Sequence, residues 1–186
     1  MIIELFGLPG SGKSTRARAL EQEGKVVRVR INSRTELLVR NALFFFQYPV
    51  TTIRLAVYLL KYGGRGTLFR TKVISLFLGH NAKYQKARWM KGVYIIDQGH
   101  FQNLLSLFEV PLTEVEMRAY VALLPKPDEL WICTVEEGER ARRLRERGYG
   151  GGNEDRAQDA VQKNFSLAQR ILPEVFGTKV RILSNV

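Results

Sequence analysis

Within the first fifteen residues the chain carries Gly7-Leu8-Pro9-Gly10-Ser11-Gly12-Lys13-Ser14-Thr15. A glycine, four free positions and then Gly-Lys-Ser is the spacing of a loop that wraps a polyphosphate. Gly7, Gly10 and Gly12 leave room for consecutive backbone N–H groups to point inward at phosphate oxygens. Ser11 sits among them. Lys13 is the expected partner of the β and γ phosphates, the Ser14 hydroxyl the expected magnesium ligand, and Thr15 a neighbouring hydroxyl for a phosphate oxygen. A second candidate is Asp97, directly after the apolar run Val93-Tyr94-Ile95-Ile96. In an open parallel sheet, ligands bind beyond the carboxyl ends of the strands, so Asp97 is expected to face the same crevice. A carboxylate there takes a proton from an attacking hydroxyl or holds magnesium.

These residues need elements to position them. Ile2, Ile3, Leu5 and Phe6 make a short buried strand with one charged break, and Ala17, Ala19 and Leu20 lie on a helix closed by Gly24. The alternation over 25–31 predicts a second strand, and 129–133 and 179–183 predict a fourth and fifth after the one at 93–96. Helices are expected at 33–43, 53–62, 68–90, 98–108, 114–124, 136–147 and 154–172. Pro49, Gly79 and Pro173 are read as breaks, Gly63-Gly64-Arg65-Gly66 as a turn, and Thr113/Glu116 and Thr134/Glu137 as capping boxes. A helical insert, 32–92, separates the second and third strands, and an insert of that length is usually functional. The expected fold is a three-layer α/β domain spanning 1–186, with a five-stranded, mostly parallel sheet.

The charge is +11, and it is unevenly spread. Residues 37–96 contain no Asp or Glu and ten Lys or Arg, leaving +1 for the remainder. Such a run is a solvated basic face, an attractor for an anionic small-molecule acceptor, or a surface for nucleic acid or an acidic membrane. Its aromatic residues Phe44, Phe45, Phe46, Tyr48 and Tyr58 lie at helical spacing and are read first as core. His100 is read as a satisfied or solvated histidine, and His80 is given no role. The single cysteine, Cys133, lies in an apolar run and excludes an internal disulfide, and no basic leader precedes the first strand, so the expected location is cytoplasmic.

Five arginines fall between positions 140 and 147, with Arg140, Arg143 and Arg147 on one flank, and the glycine-rich 148–154 follows. This is the expected design of a lid that brings arginines onto a transferring phosphoryl group.

Taken together, the residues resemble the P-loop kinases of nucleosides and nucleoside monophosphates, the thymidylate kinase and deoxynucleoside kinase group. Arg143-Leu144-Arg145-Glu146-Arg147-Gly148 is similar to the lid signature of that group. The resemblance implies the strand order 2-3-1-4-5 and donor-phosphate contacts from Arg143 and Arg147. Asp97-Gln98-Gly99 stands where those families carry an arginine beside the acid, and Asn32-Ser33-Arg34 stands where they carry an acid after the second strand.

The expected activity is an ATP- and Mg2+-dependent phosphotransfer to a small acceptor, a nucleoside, nucleotide or other phosphate-bearing metabolite. Lys13, Asp97, Arg143 and Arg147 would be the catalytic residues, with Ser14 and Asp97 at the metal. One rival is an NTPase or nucleotide-switched protein acting on nucleic acid. It lacks support from Asp97-Gln98-Gly99-His100, which is not the Asp-x-x-Gly of GTPase switches. The other is a kinase at a membrane surface, acting on an envelope saccharide or lipid-linked acceptor.

Overall fold

A computed structural model describes residues 1–146 and 155–185. Five strands, β1 (Ile2–Phe6), β2 (Val27–Arg28), β3 (Tyr94–Ile96), β4 (Glu129–Val135) and β5 (Val180–Asn185), pair in parallel in the order β2-β3-β1-β4-β5. Helix α1 (Lys13–Gln22) covers one face, where Ala17 and Leu20 meet Ile3, Leu5, Ile95 and Cys133. The opposite face packs on all the larger helices. There Phe6, Leu130 and Ile132 meet Phe101, Phe165 and Leu172, while Ile2 and Ile96 meet Phe44 and Tyr84. Successive strand residues point to opposite faces, and covering both faces explains why β1 and β3 read as unbroken apolar runs. Each large side chain so buried contributes about 1.5–3 kcal/mol.

The insert between β2 and β3 is helical, as expected. It comprises α2 (Arg34–Gln47), α3 (Pro49–Tyr62), α4 (Gly66–Lys72), a π-helical turn (Val73–Leu78) and α5 (Gly79–Trp89). Ser33 caps α2, its Oγ accepting from the Glu36 N–H at 3.0 Å. Pro49 opens α3, where its missing N–H costs nothing, and the chain bends by 115° between α2 and α3. Beyond β3 lies α6 (Asn103–Ser106), followed by α7 (Glu114–Leu123) with the expected Thr113/Glu116 capping box. The last helices are α8 (Glu137–Glu146) and α9 (Asp155–Phe176).

Several local expectations are corrected. The second strand covers only Val27–Arg28 of 25–31, because its partner β3 has three residues and, among the described residues, no strand lies beyond β2. Gly79 does not break its helix; the break is the π turn before it, where the Gly79 N–H reaches back five residues to the Ile74 carbonyl. No helix spans 98–108. Gly99 is extended, and the Phe101 N–H is taken by the Glu4 carboxylate at 2.6 Å, so only a 3-10 turn (His100–Gln102) precedes α6. Thr134 is not a helix cap: β4 runs through it, and its hydroxyl donates to the Leu183 carbonyl at 3.3 Å. Pro173 does not end α9, which continues to Phe176 because Ile171, Leu172 and Phe176 are buried on its core side. Arg147 and the expected lid loop, 148–154, lie outside the described residues.

Candidate active site

The phosphate loop leaves the carboxyl end of β1 and runs into α1, which starts at Lys13. Gly7 is forced by packing, since a Cβ there would lie 2.4 Å from the Cys133 carbonyl oxygen. Gly12 holds φ +82° at the N-cap, a left-handed conformation that turns the chain into the helix. The Lys13 ammonium donates to the carbonyls of Gly7 and Leu8 at 2.7 and 2.8 Å and lies 3.5 Å from the Ser11 hydroxyl. A cation is thereby held along the inside of the loop, at the positive end of α1, where a polyphosphate is best stabilised.

Strand β3 lies beside β1, so Asp97 emerges at the same sheet edge. Its Oδ2 accepts from the Ser14 hydroxyl at 3.2 Å and from the Arg28 guanidinium at 2.8 Å, while the Lys83 ammonium is 3.9 Å from Oδ1. Burial pushes the Asp97 carboxyl up, but Lys83, Arg28 and Ser14 outweigh it and hold the group below the ordinary carboxylate range. Burial in turn lowers the Lys83 ammonium, against the pull of Asp97 and Glu4. Asp97 is therefore ionised throughout the physiological range and is a poor proton acceptor. Among the described residues, no three His, Cys, Asp or Glu side chains converge to hold a metal. The hydroxyl and carboxylate of Ser14 and Asp97 nevertheless fit magnesium, which takes one or two protein oxygens and completes its shell with phosphates and water.

Two clefts meet at the loop. One, of about 570 Å³, runs between α1 and α8, walled by Leu20, by Arg16, Arg142 and Arg143, and by Glu23, Glu139 and Glu146. The other, of about 260 Å³, opens toward the insert and is lined by Leu76, His80, Gln98, Gln102 and Ser106. Gly12 and Thr15 belong to both. Arg143 reaches toward the Gly10 carbonyl (3.5 Å) and pairs with Glu139 at 2.6 Å. Glu139 also pairs with Arg142, and these arginines pull its carboxyl down to about 2. The loop, Lys13, Ser14, Asp97 and Arg143 are thus brought near one another.

Other site residues escape sequence reading. Glu4, fully buried in β1, lies beneath the acid loop: a Cβ on Gly99 would stand 2.5 Å from its Cδ. Burial raises this carboxyl to about 8, against the Phe101 N–H bond and the charge of Lys83. The charged break in an apolar run was its only signal. His80 lines the insert-side cleft with Nδ1 unpartnered among the described residues, and burial drives its pKa well below the ordinary value, so it is neutral. Gln102 also lines the cleft and has an unpartnered Oε1. His100 is structural, as expected: it stacks on Phe44 and bonds Asn81 at 2.8 Å. Phe44 is core as read, whereas Phe45 and Phe46 are exposed.

Loop and sheet order define a P-loop protein with the architecture of the nucleoside and nucleotide kinases. Deoxyadenosine kinase from M. mycoides superposes with a TM-score of 0.55 at 15% identity, covering 98% of this chain and 90% of that one. Thymidylate kinase from Candida albicans superposes with a TM-score of 0.52 at 18% identity, covering 98% and 82%. These are likenesses of fold. A family model described as an AAA domain matches residues 2–170, and the chain belongs to that family. No curated protein matches the sequence.

Proposed function

We propose that the protein is an ATP- and magnesium-dependent phosphotransferase that moves the γ-phosphoryl group to a hydroxyl of a small, uncharged acceptor. The observation that carries this reading is the pair of clefts sharing Gly12 and Thr15, which gives donor and acceptor separate approaches to one phosphate loop. The cleft between α1 and α8, where Arg143 reaches toward the phosphate loop, suits the nucleotide, and the insert-side cleft suits the acceptor. Residues 32–92 would form the acceptor-binding part of a single domain, 1–186, with 148–154 as the lid loop.

The cationic insert suggests an acceptor that already bears phosphate, but none of its eleven lysines and arginines lines the insert-side cleft. The lining there beyond the phosphate loop is Leu76, His80, Gln98, Gln102, Ser106 and Leu144, polar or apolar and uncharged, His80 being neutral. Amide and hydroxyl groups with free valence suit a polyol or a nucleoside better than a second phosphate. The M. mycoides kinase of the same fold is described with the products dCMP and dCDP, both phosphorylated nucleosides.

In this mechanism the loop N–H groups and Lys13 bind the donor phosphates and follow the charge onto the transferring group. Ser14 and Asp97 would hold magnesium, which would supply positive charge to offset that of the donor phosphates. Asp97, kept ionised by Arg28 and Lys83, orients rather than deprotonates. Arg143 exchanges its Glu139 partner for a phosphate oxygen, and Arg147 joins it by the lid resemblance.

The test is a screen of nucleosides and neutral sugars against their monophosphates, with γ-labelled ATP and an Asp97→Asn control. Label transfer to an uncharged acceptor, reduced in the control while ATP still binds, is expected. Transfer only to monophosphates would overturn the acceptor assignment, and unchanged turnover in the control would remove Asp97 from the chemistry.

A further inference from the structure

The outer surface of the insert is apolar where a water-facing helix should be polar. On α3, Val50, Ile53, Val57 and Leu60 recur at intervals of three and four and so form one stripe, each more than half exposed. The opposite stripe, Leu55 and Leu59, is buried against the core, so the exposed set is a second face rather than a misplaced first one. On α2, Phe46 is 79% exposed and its ring stands 5.8 Å from that of Phe45. Phe46 and Trp89, with Leu43, Gln47 and Arg88, wall an open groove of about 560 Å³. Monomers rarely leave so many large apolar side chains exposed to water.

The charge around this face points to its occupant. Arg54, Lys61, Arg65, Arg70, Arg88 and Lys91 are exposed and form no ion pair among the described residues. The segment 37–96 contains no acid to answer them. A second copy of the chain is a poor fit, because a closed dimer sets one patch against itself and would bring these cations together. Nucleic acid answers the charge but offers nothing to an aliphatic stripe. An anionic bilayer answers both, with lipid phosphates for the arginines and lysines and an acyl boundary for Phe46, Trp89 and the α3 stripe. Among the described residues no single helix is long and apolar enough to cross a membrane, and α2 and α3 are bent by 115° from one another.

We propose that the outer face of α2 and α3, together with Trp89, docks the protein on the headgroup region of an anionic lipid bilayer. This goes beyond the phosphotransfer reading and does not depend on it. The inner side of α3, Leu55 and Leu59, packs into the core beside a small cavity shared with Leu76, His100 and Tyr120, so docking through the opposite stripe leaves the phosphate loop its own geometry.

The experiment is flotation of the full chain with vesicles of phosphatidylcholine alone and of equimolar phosphatidylcholine and phosphatidylglycerol. Binding to the anionic vesicles only, weakened by salt, is expected. Phe46→Asp with Val57→Asp should lower the partition coefficient by about a hundredfold or more, and Arg54→Gln, Lys61→Gln and Arg65→Gln together by about a hundredfold. All five side chains are exposed, and nucleotide binding by each variant confirms that it is folded. Failure of the folded wild type to float, or equal flotation of the Asp variant, would overturn the proposal. So would self-association without lipid that Phe46→Asp abolishes, or retention of a single-stranded DNA probe in place of vesicles.

Discussion

Replacing Glu4 by glutamine removes a charge that the fold keeps suppressed. Glu4 is wholly buried in β1, its Oε1 accepts the Phe101 N–H at 2.6 Å, and its Oε2 has no partner among the described residues. Its carboxyl rises from the ordinary 4.5 to about 8. Between those values the unfolded chain carries an ionised Glu4 and the folded chain a neutral one, so the folded state binds the extra proton and stability falls as pH rises. The contribution is fully present below 4.5 and is lost as pH passes through about 8. At 1.36 kcal/mol per pH unit, the whole window is worth at most about 5 kcal/mol, and about 3 kcal/mol is already lost by neutral pH. Glutamine keeps the acceptor oxygen for Phe101 and cannot ionise. Thermal unfolding from about pH 5 to 9 should therefore show the wild type losing stability relative to Glu4→Gln, with a gap of about 6–12 °C near neutrality. Parallel curves for the two proteins across that range would refute the account of Glu4 as a buried neutral acid.

The same contact predicts that Gly99→Ala, which sets a Cβ 2.5 Å from Glu4 Cδ, costs about 1–3 kcal/mol in urea unfolding and raises KM for the acceptor, because Gln98 and Gln102 flank it. Arg28→Ala removes a 2.8 Å partner of Asp97 and lets its carboxyl rise. Since Asp97 must be ionised to hold magnesium, the acid limb of the kcat profile should move to higher pH, and an unmoved limb would contradict that role. Thr113→Ala breaks the capping box of α7 and should cost about 1 kcal/mol, read as a fall in Tm with nucleotide binding intact.

The phosphate loop was legible because its glycines are demanded by local geometry: the turn needs them whatever surrounds it. Asp97 was legible for a similar reason, since the end of an apolar run next to the first strand can only meet the same sheet edge. The strand order followed once the chain had alternated strand and helix. What could not be read depends on contacts remote in sequence. The 3-10 turn at His100–Gln102 forms because a carboxylate from β1 takes the Phe101 N–H, ninety-seven residues away. Thr134 looks like a cap until β5 extends β4 through it, and Pro173 looks like a stop until the core holds α9 on both sides of it. The eleven cations of the insert suggest a charged acceptor site, yet their direction is set by helix packing, and it turns them away from the insert-side cleft.

The central claim is that Lys13, gripping the Gly7 and Leu8 carbonyls inside the loop, is the cation that carries phosphoryl transfer. The direct test is single-turnover transfer from γ-labelled ATP to the best acceptor of the screen, comparing wild type with Lys13→Ala at matched nucleotide saturation. Loss of transfer by about a hundredfold or more, with an unchanged unfolding midpoint, is predicted. Wild-type turnover in the folded variant would contradict the assignment of this loop as the reaction centre.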